Sequence, residues 1–289
     1  KRNSVRGKYD PRKADRKAYV RRKYAKYQGK KIVGDSALRR EVDARLFDDQ
    51  SPQAIARRIS HREHRLPSIS KNAIYRYIAS VYGRRIETHR KHRKHRRYRR
   101  RGRTKSLSGR TFIDKRPQYI NRKCRIGDTE GDFVLSGRSG HGILLTVVDR
   151  RSREAFIEPI VRVTIENVHR AFLRIKRRFP EMRTMTTDND LLFERHRELE
   201  RLLGIRIYFC HSYHSYEKGA IEHVNGVIRR DVPKGSDISR YARWFFARLE
   251  AKLNRRPMEV LNDWTPQEIL DTYRRKVRRN KKHRGRRVR

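Results

Sequence analysis

The stretch GDTEGDFVLSGRSGHGILLTVVD, residues 127–149, holds two strand-like runs separated by a glycine-rich turn. The first predicted strand covers 125–135, and the second, 143–149, is almost wholly apolar. A third strand, EAFIEPI, is predicted over 154–160. Three strands in succession, before any helix, predict antiparallel pairing in one half of a sheet.

Downstream of these strands, helices and strands alternate. Helices are predicted over 165–178, over 192–203 and from near Glu217, with short strands RTMTT (183–187) and IRIYFC (205–210) between them. This order predicts an α/β fold in which three antiparallel strands are extended by parallel ones, with helices on both faces of a mixed five-stranded sheet. It is the order of elements in a ribonuclease H-like domain.

Acidic residues occur where such a sheet would present them together. Asp128, Glu130 and Asp132 alternate along the first strand and therefore share one of its faces. Asp188 follows the fourth strand directly, and Glu222 lies on the helix after the fifth. Cleavage of a phosphodiester uses two divalent cations about 3.5 to 4 Å apart, and carboxylates are the ligands that such cations prefer.

The helix that carries Glu222 has an apolar side and a polar edge. Ile221, Val224 and Ile228 are spaced to pack on the sheet. The polar edge is formed by Glu222, Asn225 and Arg229. Two interpretations of this edge are open. It is a solvated face, or Glu222 is a metal ligand and Arg229 contacts a phosphate.

The composition favours a nucleic-acid partner. Lys and Arg number 78 against 32 Asp and Glu, a formal charge of +46 that would destabilise a compact domain unless a polyanion neutralised it. We find no apolar run of about 18 residues, no signal peptide and no lipidation motif, so we expect a cytoplasmic protein without a membrane partner. Cys124 and Cys210 lack Cys-x-x-Cys spacing, and neither a disulfide framework nor a zinc ribbon is predicted.

Basic residues are concentrated in residues 84–105, with thirteen Lys or Arg and one Glu. Such a segment builds no core, and we interpret it as an arm that follows a phosphate backbone. Its candidate DNA contacts are Arg93, Lys94, Arg96, Arg97, Arg99 and Arg100.

Before this arm the pattern is helical. Three helices are predicted, with Ser36, Ser51 and Ser70 as N-caps and Pro52 at the first position of the second helix. Their inward residues are Leu38, Val42 and Leu46; Ile55 and Ile59; and Ile74, Ile78 and Val81. The third helix turns four side chains outward, as the recognition helix of a helix-turn-helix does: Lys71, Asn72, Tyr75 and Arg76. A helical bundle without a DNA-binding role has the same pattern.

These observations predict five segments along the chain. They are a basic helical segment (1–35), a helix-turn-helix DNA-binding domain (36–83), the basic arm (84–117), the ribonuclease H-like domain (118–235) and a C-terminal helical region with a basic tail (236–289). Trp244, Phe245, Phe246 and Trp264 are predicted to be core aromatics of the last segment.

Residues 126–270 resemble the catalytic region of the IS-thirty family of bacterial insertion-sequence transposases. That family has two Asp and a Glu with 33 residues between the last two, the separation of Asp188 and Glu222. GDTEGDFV resembles its first-Asp strand and TTDN its second-Asp motif. YFCHSYHSYEKGAIEHVNGVIRRDVPKGSD and LNRRPMEVLNDWTPQEIL resemble its third block. The chain differs from the family pattern at Asp190, Leu192, Ile221 and His223.

The resemblance implies a transposase with a retroviral-integrase-like core that hydrolyses DNA at element ends and joins the freed 3′-hydroxyl to another phosphodiester. Asp132, Asp188 and Glu222 would be the catalytic residues and would bind two Mg²⁺ or Mn²⁺ ions. The partners implied are double-stranded DNA, as element-end inverted repeats and target, and a second copy of the chain or a larger assembly, in the bacterial nucleoid. Further DNA contacts would be Tyr213, His214, Lys218, Asn225 and Arg229.

Other interpretations remain open from the sequence. A transposase-derived repressor without catalytic activity would share the helices and the charge, and metal-dependent nicking of DNA separates it from an enzyme. A ribosomal-type RNA-binding protein explains the charge but predicts no carboxylates spaced over two strands and a helix. Cys210, His211 and His214 are close in sequence, although Cys-His-x-x-His is not a usual zinc spacing.

Overall fold

The computed structural model describes residues 4–5, 8–25, 30–91, 109–137, 140–211 and 215–286. The chain forms two compact units, Lys1–Lys94 and His95–Arg289. Every helix in the described part of the chain is too short or too polar to cross a membrane.

The first unit is mainly helical. Its elements are β1 (Ser4–Val5), β2 (Lys8–Tyr9), α1 (Pro11–Ala25), α2 (Lys30–Val33), α3 (Ser36–Phe47), α4 (Pro52–Arg62), α5 (Lys71–Ala79) and α6 (Arg84–Lys91). Helices α4 and α5 begin as predicted, because the hydroxyls of Ser51 and Ser70 accept the N–H groups of Ala54 and Ala73.

Its core contains most of the residues that the helical spacing predicts. Seven are buried: Leu38, Val42, Leu46, Ile55, Ile59, Ile74 and Ile78. Val81 is exposed, contrary to the prediction, because α5 ends at Ala79 and the chain then leaves the helical phase. Tyr77 is buried in this helix, and its hydroxyl donates to Asp43 at 2.8 Å. The N-cap of α3 is Asp35 rather than Ser36, since the extended backbone of Asp35 aims its carboxylate at the N–H of Leu38.

The second unit follows the predicted order of strands and helices. Its elements are α7 (Gln118–Asn121), β3 (Asp128–Leu135), β4 (Ile143–Asp149), β5 (Ala155–Ile160), α8 (Ile165–Arg178), β6 (Thr184–Thr187), α9 (His196–Leu203), β7 (Arg206–Phe209), α10 (Gly219–Asp231), α11 (Arg243–Asn254) and α12 (Pro266–Arg286). One predicted helix differs: residues 192–203 divide into a short 3₁₀ turn, Leu191–Phe193, and α9. The N-cap of the 3₁₀ turn is Asp190, whose carboxylate accepts the N–H of Leu192 at 2.8 Å.

The sheet is five-stranded, in the order β5-β4-β3-β6-β7. Strands β3, β4 and β5 pair antiparallel, whereas β6 and β7 extend the sheet in parallel from β3. This is the mixed sheet of a ribonuclease H-like fold. The central strand, β3, is thereby placed between the antiparallel half and the parallel half.

Helices cover both faces of the sheet, because the strands present apolar side chains alternately to each side. One core cluster joins the sheet to α8 and α9, together with Leu270 of α12. The other joins it to α10 and to α11, through residues such as Ile221 and Phe246. The C-terminal helices therefore pack within the second unit. Trp244 is 66% exposed and Trp264 is 37% exposed, so the prediction that they are core aromatics is wrong.

Candidate active site

Asp132 lies on the central strand and faces α10. Its Oδ2 accepts a hydrogen bond of 2.8 Å from Asn225 Nδ2. Burial raises the pKa of its carboxyl, while the positive charge of Lys218 opposes that rise. On balance the pKa of this partly buried carboxyl lies above its ordinary value, because the effect of burial exceeds that of the cation.

Asp188 follows β6, the parallel neighbour of β3. The Oδ2 atom of Asp188 lies 3.3 Å from Lys218 Nζ. Its Oδ1 atom is buried and has no hydrogen-bond partner in the described part of the chain. A buried carboxylate oxygen without a partner carries a desolvation cost, which a bound cation would remove.

Lys218 connects the two aspartates. Its Nζ lies 3.5 Å from Asp132 Oδ1 and 3.3 Å from Asp188 Oδ2, and the residue is buried. Burial alone would lower the pKa of Lys218, but the two carboxylates outweigh it and raise the pKa. The sequence predicts a DNA contact for this residue, whereas the structure places it between the carboxylates. The sequence feature that could have pointed to Lys218 is its position four residues before Glu222.

Glu222 lies on the first turn of α10, where its side chain is exposed to solvent. Ile221 and Val224 of the same helix are buried against the sheet, as their spacing predicts. The Glu222 carboxylate has no hydrogen-bond or ion-pair partner among the residues described. It is therefore a third acidic group with free ligand capacity on the helix that faces β3.

Glu130 fixes the start of α10 to the central strand. Its Oε2 accepts the backbone N–H groups of Ala220 and Ile221, both at 3.0 Å. Its Oε1 accepts from Arg150 Nε at 3.1 Å. A carboxylate at a helix N-terminus satisfies free N–H groups and complements the helix dipole. Glu130 thus ties the strand of Asp132 to the helix of Glu222, a role that the alternation along β3 does not reveal.

Asn225 and Arg229 extend this connection along α10. The amide of Asn225 donates to Asp132 and accepts from Thr146 Oγ1 at 2.9 Å, so both ends of the side chain are engaged. Arg229 Nη2 donates to the carbonyl of Leu135 at 2.8 Å. The DNA contacts of these two residues stay predictions, and their observed contacts hold the helix against β3 and β4.

The loop after β6 is held by a segment that precedes the sheet in the chain. Arg110 Nη1 donates to Asn189 Oδ1 at 2.6 Å, and its Nη2 donates to the carbonyl of Asp190 at 3.0 Å. Asn189 Nδ2 donates in turn to the carbonyl of Cys210 at 2.8 Å. The guanidinium of Arg110 also lies over the ring of Phe209, 4.4 Å from its centroid. Asn189 and Arg110 therefore fix the backbone beside Asp188.

The other predicted DNA contacts fall into two groups. Lys71, Asn72, Tyr75 and Arg76 are exposed on α5, as their spacing predicts. The remainder lie outside the described residues: Arg93, Lys94, Arg96, Arg97, Arg99, Arg100, Tyr213 and His214.

The residues around Cys210 do not form a zinc site in the described part of the chain. No three His, Cys, Asp or Glu side chains in the described part of the chain are grouped so that they could hold a metal ion as they stand, and this includes Asp132, Asp188 and Glu222. Burial raises the pKa of the Cys210 thiol to about 12, so it offers no thiolate at neutral pH. His211 contacts carboxylates instead, at 2.8 Å from Asp114 and 3.1 Å from Glu217.

Comparison with known proteins finds relatives among transposases. The chain is 34% identical over 268 residues to the transposase for insertion sequence element IS4351 of Bacteroides fragilis, covering 91% of this chain and 80% of the relative. It is 31% identical over 173 residues to transposase InsI for insertion sequence element IS30A of Escherichia coli strain K12, covering 59% of this chain and 44% of that one. No protein-family model matches the chain. Among solved structures, the catalytic core domain of BIV integrase matches with a TM-score of 0.39 and 19% identity, over 52% of this chain and 98% of that chain.

Proposed function

Because this chain belongs to the family of insertion-sequence transposases, we propose that its second unit cuts and joins DNA strands at a site formed by Asp132, Asp188 and Glu222. The observation that carries this proposal is the convergence of Asp132 and Asp188 on one buried cation, Lys218 Nζ. One carboxylate on β3 and one directly after the neighbouring strand β6 thus share a positive charge. Glu222 adds a third carboxylate from the facing helix.

The chemistry of these residues fits a pair of divalent cations, although their present spacing does not form a ready site, so binding of the ions would have to draw Glu222 toward the two aspartates. All three supply carboxylate oxygens, which Mg²⁺ and Mn²⁺ prefer, and the buried Oδ1 of Asp188 has no partner in the described part of the chain. We assign Asp132, Asp188 and Glu222 as the residues that would hold Mg²⁺ or Mn²⁺. When bound, two such ions would activate the attacking oxygen and stabilise the leaving oxygen.

The other residues of the site position these carboxylates and the DNA. Glu130 and Asn225 hold α10 against β3, and Arg110 holds the loop after β6. In this proposal a water molecule first attacks a phosphodiester at the element end and frees a 3′-hydroxyl. That hydroxyl then attacks a second phosphodiester, and no covalent intermediate with the protein forms.

The first unit would select the DNA on which the second unit acts. Its α5 exposes Lys71, Asn72, Tyr75 and Arg76, which are suited to base edges and phosphates in a major groove. We propose that this helix reads the terminal inverted repeats and that the basic arm follows the adjacent phosphates. Because two element ends must be joined, the active form would contain at least two copies of the chain.

The test uses the purified full chain, Mg²⁺ and duplexes that carry the inverted repeats of its own element. The parent protein should nick and join strands, whereas Asp188→Asn and Glu222→Gln should lose about a thousandfold or more in rate while still binding the duplex. Glu194→Gln is the matched control, because Glu194 is an exposed carboxylate outside the site. Equal activity in all four proteins would refute the assignment, and binding without cleavage by the parent would identify a repressor.

A further inference from the structure

Lys218 lies at the position that a cation shared by Asp132 and Asp188 would take. Its Nζ is 3.5 Å from one carboxylate and 3.3 Å from the other, and only 5% of the residue is exposed. Asp132 contributes one oxygen to this contact and Asp188 contributes one. The ammonium therefore bridges β3 and the loop after β6 in the way that a metal ion bridges its ligands.

The burial of Lys218 requires a compensating interaction. An ammonium removed from water is costly, and the two carboxylates supply the opposite charge that offsets this cost. The ammonium also stabilises the two carboxylates, because two like charges close together are unfavourable without a cation between them. The contact thus stabilises the site when no divalent ion is present.

We propose that Lys218 is an internal counter-cation that holds the two aspartates in the metal-free protein and is displaced when a divalent ion enters. This inference rests on the proposed function of the site. A divalent ion and an ammonium cannot share the space between the same two oxygens, since their repulsion at about 4 Å is several kcal/mol even at an effective dielectric constant of 20. Entry of the ion therefore requires the lysine side chain to leave.

The position of Lys218 in the chain permits this exchange. It is the last residue of the 3₁₀ turn Ser215–Lys218, directly before α10 begins at Gly219. The backbone that follows it stays anchored because Glu130 accepts the N–H groups of Ala220 and Ile221, two and three residues later. The long flexible stem of a lysine can redirect the ammonium without movement of the helix. The displaced charge would then be available to a DNA phosphate beside the site.

Binding of Mn²⁺ to the metal-free full chain tests the competition directly. We expect Lys218→Gln to bind Mn²⁺ about tenfold more tightly than the parent, measured by calorimetry or by electron paramagnetic resonance. Lys252→Gln is the matched control, because Lys252 also has a mostly buried ammonium beside a carboxylate, 3.5 Å from Asp231, outside the site. It should bind Mn²⁺ with the affinity of the parent.

The outcomes separate this inference from the proposed function. Equal or weaker Mn²⁺ binding by Lys218→Gln would overturn the inference and leave the carboxylate site intact. If the parent and Lys218→Gln both bind no more Mn²⁺ than Asp188→Asn does, the proposed metal site itself is wrong.

A second measurement needs no substituted protein. The parent chain is treated with an amine-acetylating reagent, with and without Mn²⁺, and the modification of individual lysines is read by mass spectrometry. Lys218 should be protected without the ion and should become several-fold more reactive with it, while Lys252 stays unchanged. An unchanged reactivity of Lys218 at saturating Mn²⁺ would refute the displacement.

Discussion

At the level of single residues, Glu130 joins the strand of Asp132 to the helix of Glu222. Three donors share its two oxygens: the N–H groups of Ala220 and Ile221 and the Nε of Arg150. Glu130 is 2% exposed, and Ile221 and Arg150 are buried as well, so these two donors have no water as a ready alternative. Asp128, two residues earlier, is equally buried but bonds Thr184 and Arg125. Alternate positions of one strand thus have different roles.

We expect Glu130→Ala to lower the free energy of unfolding by about 3 to 5 kcal/mol, because it leaves the Arg150 charge and two N–H groups buried without their acceptor. Denaturant unfolding measures this change. Amide exchange at Ala220 and Ile221 should also accelerate in the variant. Glu194→Ala, at an exposed position, should stay within about 0.5 kcal/mol of the parent. A small effect of Glu130→Ala with unchanged exchange would contradict this role.

Glu154 is a buried carboxyl group whose titration makes stability depend on pH. Burial raises the pKa of Glu154 to about 8, and the negative charges of Glu250 and Asp271 add to the rise. Its Oε2 has no hydrogen-bond partner in the described residues. The folded protein holds the Glu154 proton more tightly than the unfolded chain does, so the protonated carboxyl contributes to the free energy of unfolding. This contribution is fully present below the ordinary pKa of 4.5 and is lost as the pH rises through 8.

Glu154→Gln keeps the shape of the side chain and removes the titration. The variant should therefore gain thermal stability relative to the parent at pH 9, and gain little or none at pH 5. Melting temperatures across this range measure the difference. Glu194→Gln should follow the parent at every pH. Parallel curves for Glu154→Gln and the parent would show that Glu154 ionises in the folded state without a penalty.

At the level of elements, the sequence predicts the sheet well because turn residues separate its strands and because β4 and β5 are largely apolar. The helix 165–178 agrees at both ends with α8, whose N-cap Thr164 accepts the N–H of Asn167. The failures have local causes. Val81 lies beyond the last turn of α5, and Trp244 occupies an outward position of α11 whose neighbour Phe246 faces the core.

The site was less accessible to sequence reasoning than the fold. The spacing and flanking motifs predict Asp132, Asp188 and Glu222 as a set, because they match a family pattern. The roles of Lys218, Glu130 and Asn225 depend on contacts between residues 20 to 93 positions apart, such as Glu130 with Arg150 and Asn225 with Asp132. Residue type and periodicity carry no information about such pairings.

The edge of the sheet at β7 is paired with a segment that precedes the sheet in the chain. Residues before the sheet pair with β7, since Phe209 N donates to the carbonyl of Thr111 at 2.8 Å. This pairing brings Arg110 to the loop that carries Asp188, where it bonds Asn189 and Asp190. The edge segment therefore sets the backbone of the loop.

We expect Arg110→Met to reduce the rate of strand joining by about ten- to a hundredfold, because the methionine retains apolar packing on Phe209 but donates no hydrogen bonds to the loop. Affinity for the duplex should change little. Arg206→Met is the matched control, since it removes the same charge from an exposed position at the start of β7. Equal rates for the two variants would show that the loop holds its conformation without Arg110.

At the level of the whole molecule, the charge of +46 makes the affinity for DNA depend on salt concentration. Each lysine or arginine that neutralises a phosphate releases a counterion, so the logarithm of affinity falls linearly with the logarithm of salt, by about 0.9 for each contact. Charges that face water in the complex contribute nothing to this slope. The slope therefore distinguishes basic residues that bind the backbone from those that only add to the net charge.

The proposed recognition helix can be tested on this basis. If Lys71 and Arg76 of α5 both contact phosphates of the duplex, the double variant Lys71→Gln, Arg76→Gln should reduce the salt slope of binding by about 2. Arg170→Gln, an exposed arginine on α8, should leave the slope unchanged. Binding isotherms on element-end and unrelated duplexes at several salt concentrations give both quantities. If α5 also reads sequence, the double variant should lose more affinity for the element end than for the unrelated duplex. An unchanged slope would place these two residues outside the interface and leave the basic arm as the main contact with the phosphates.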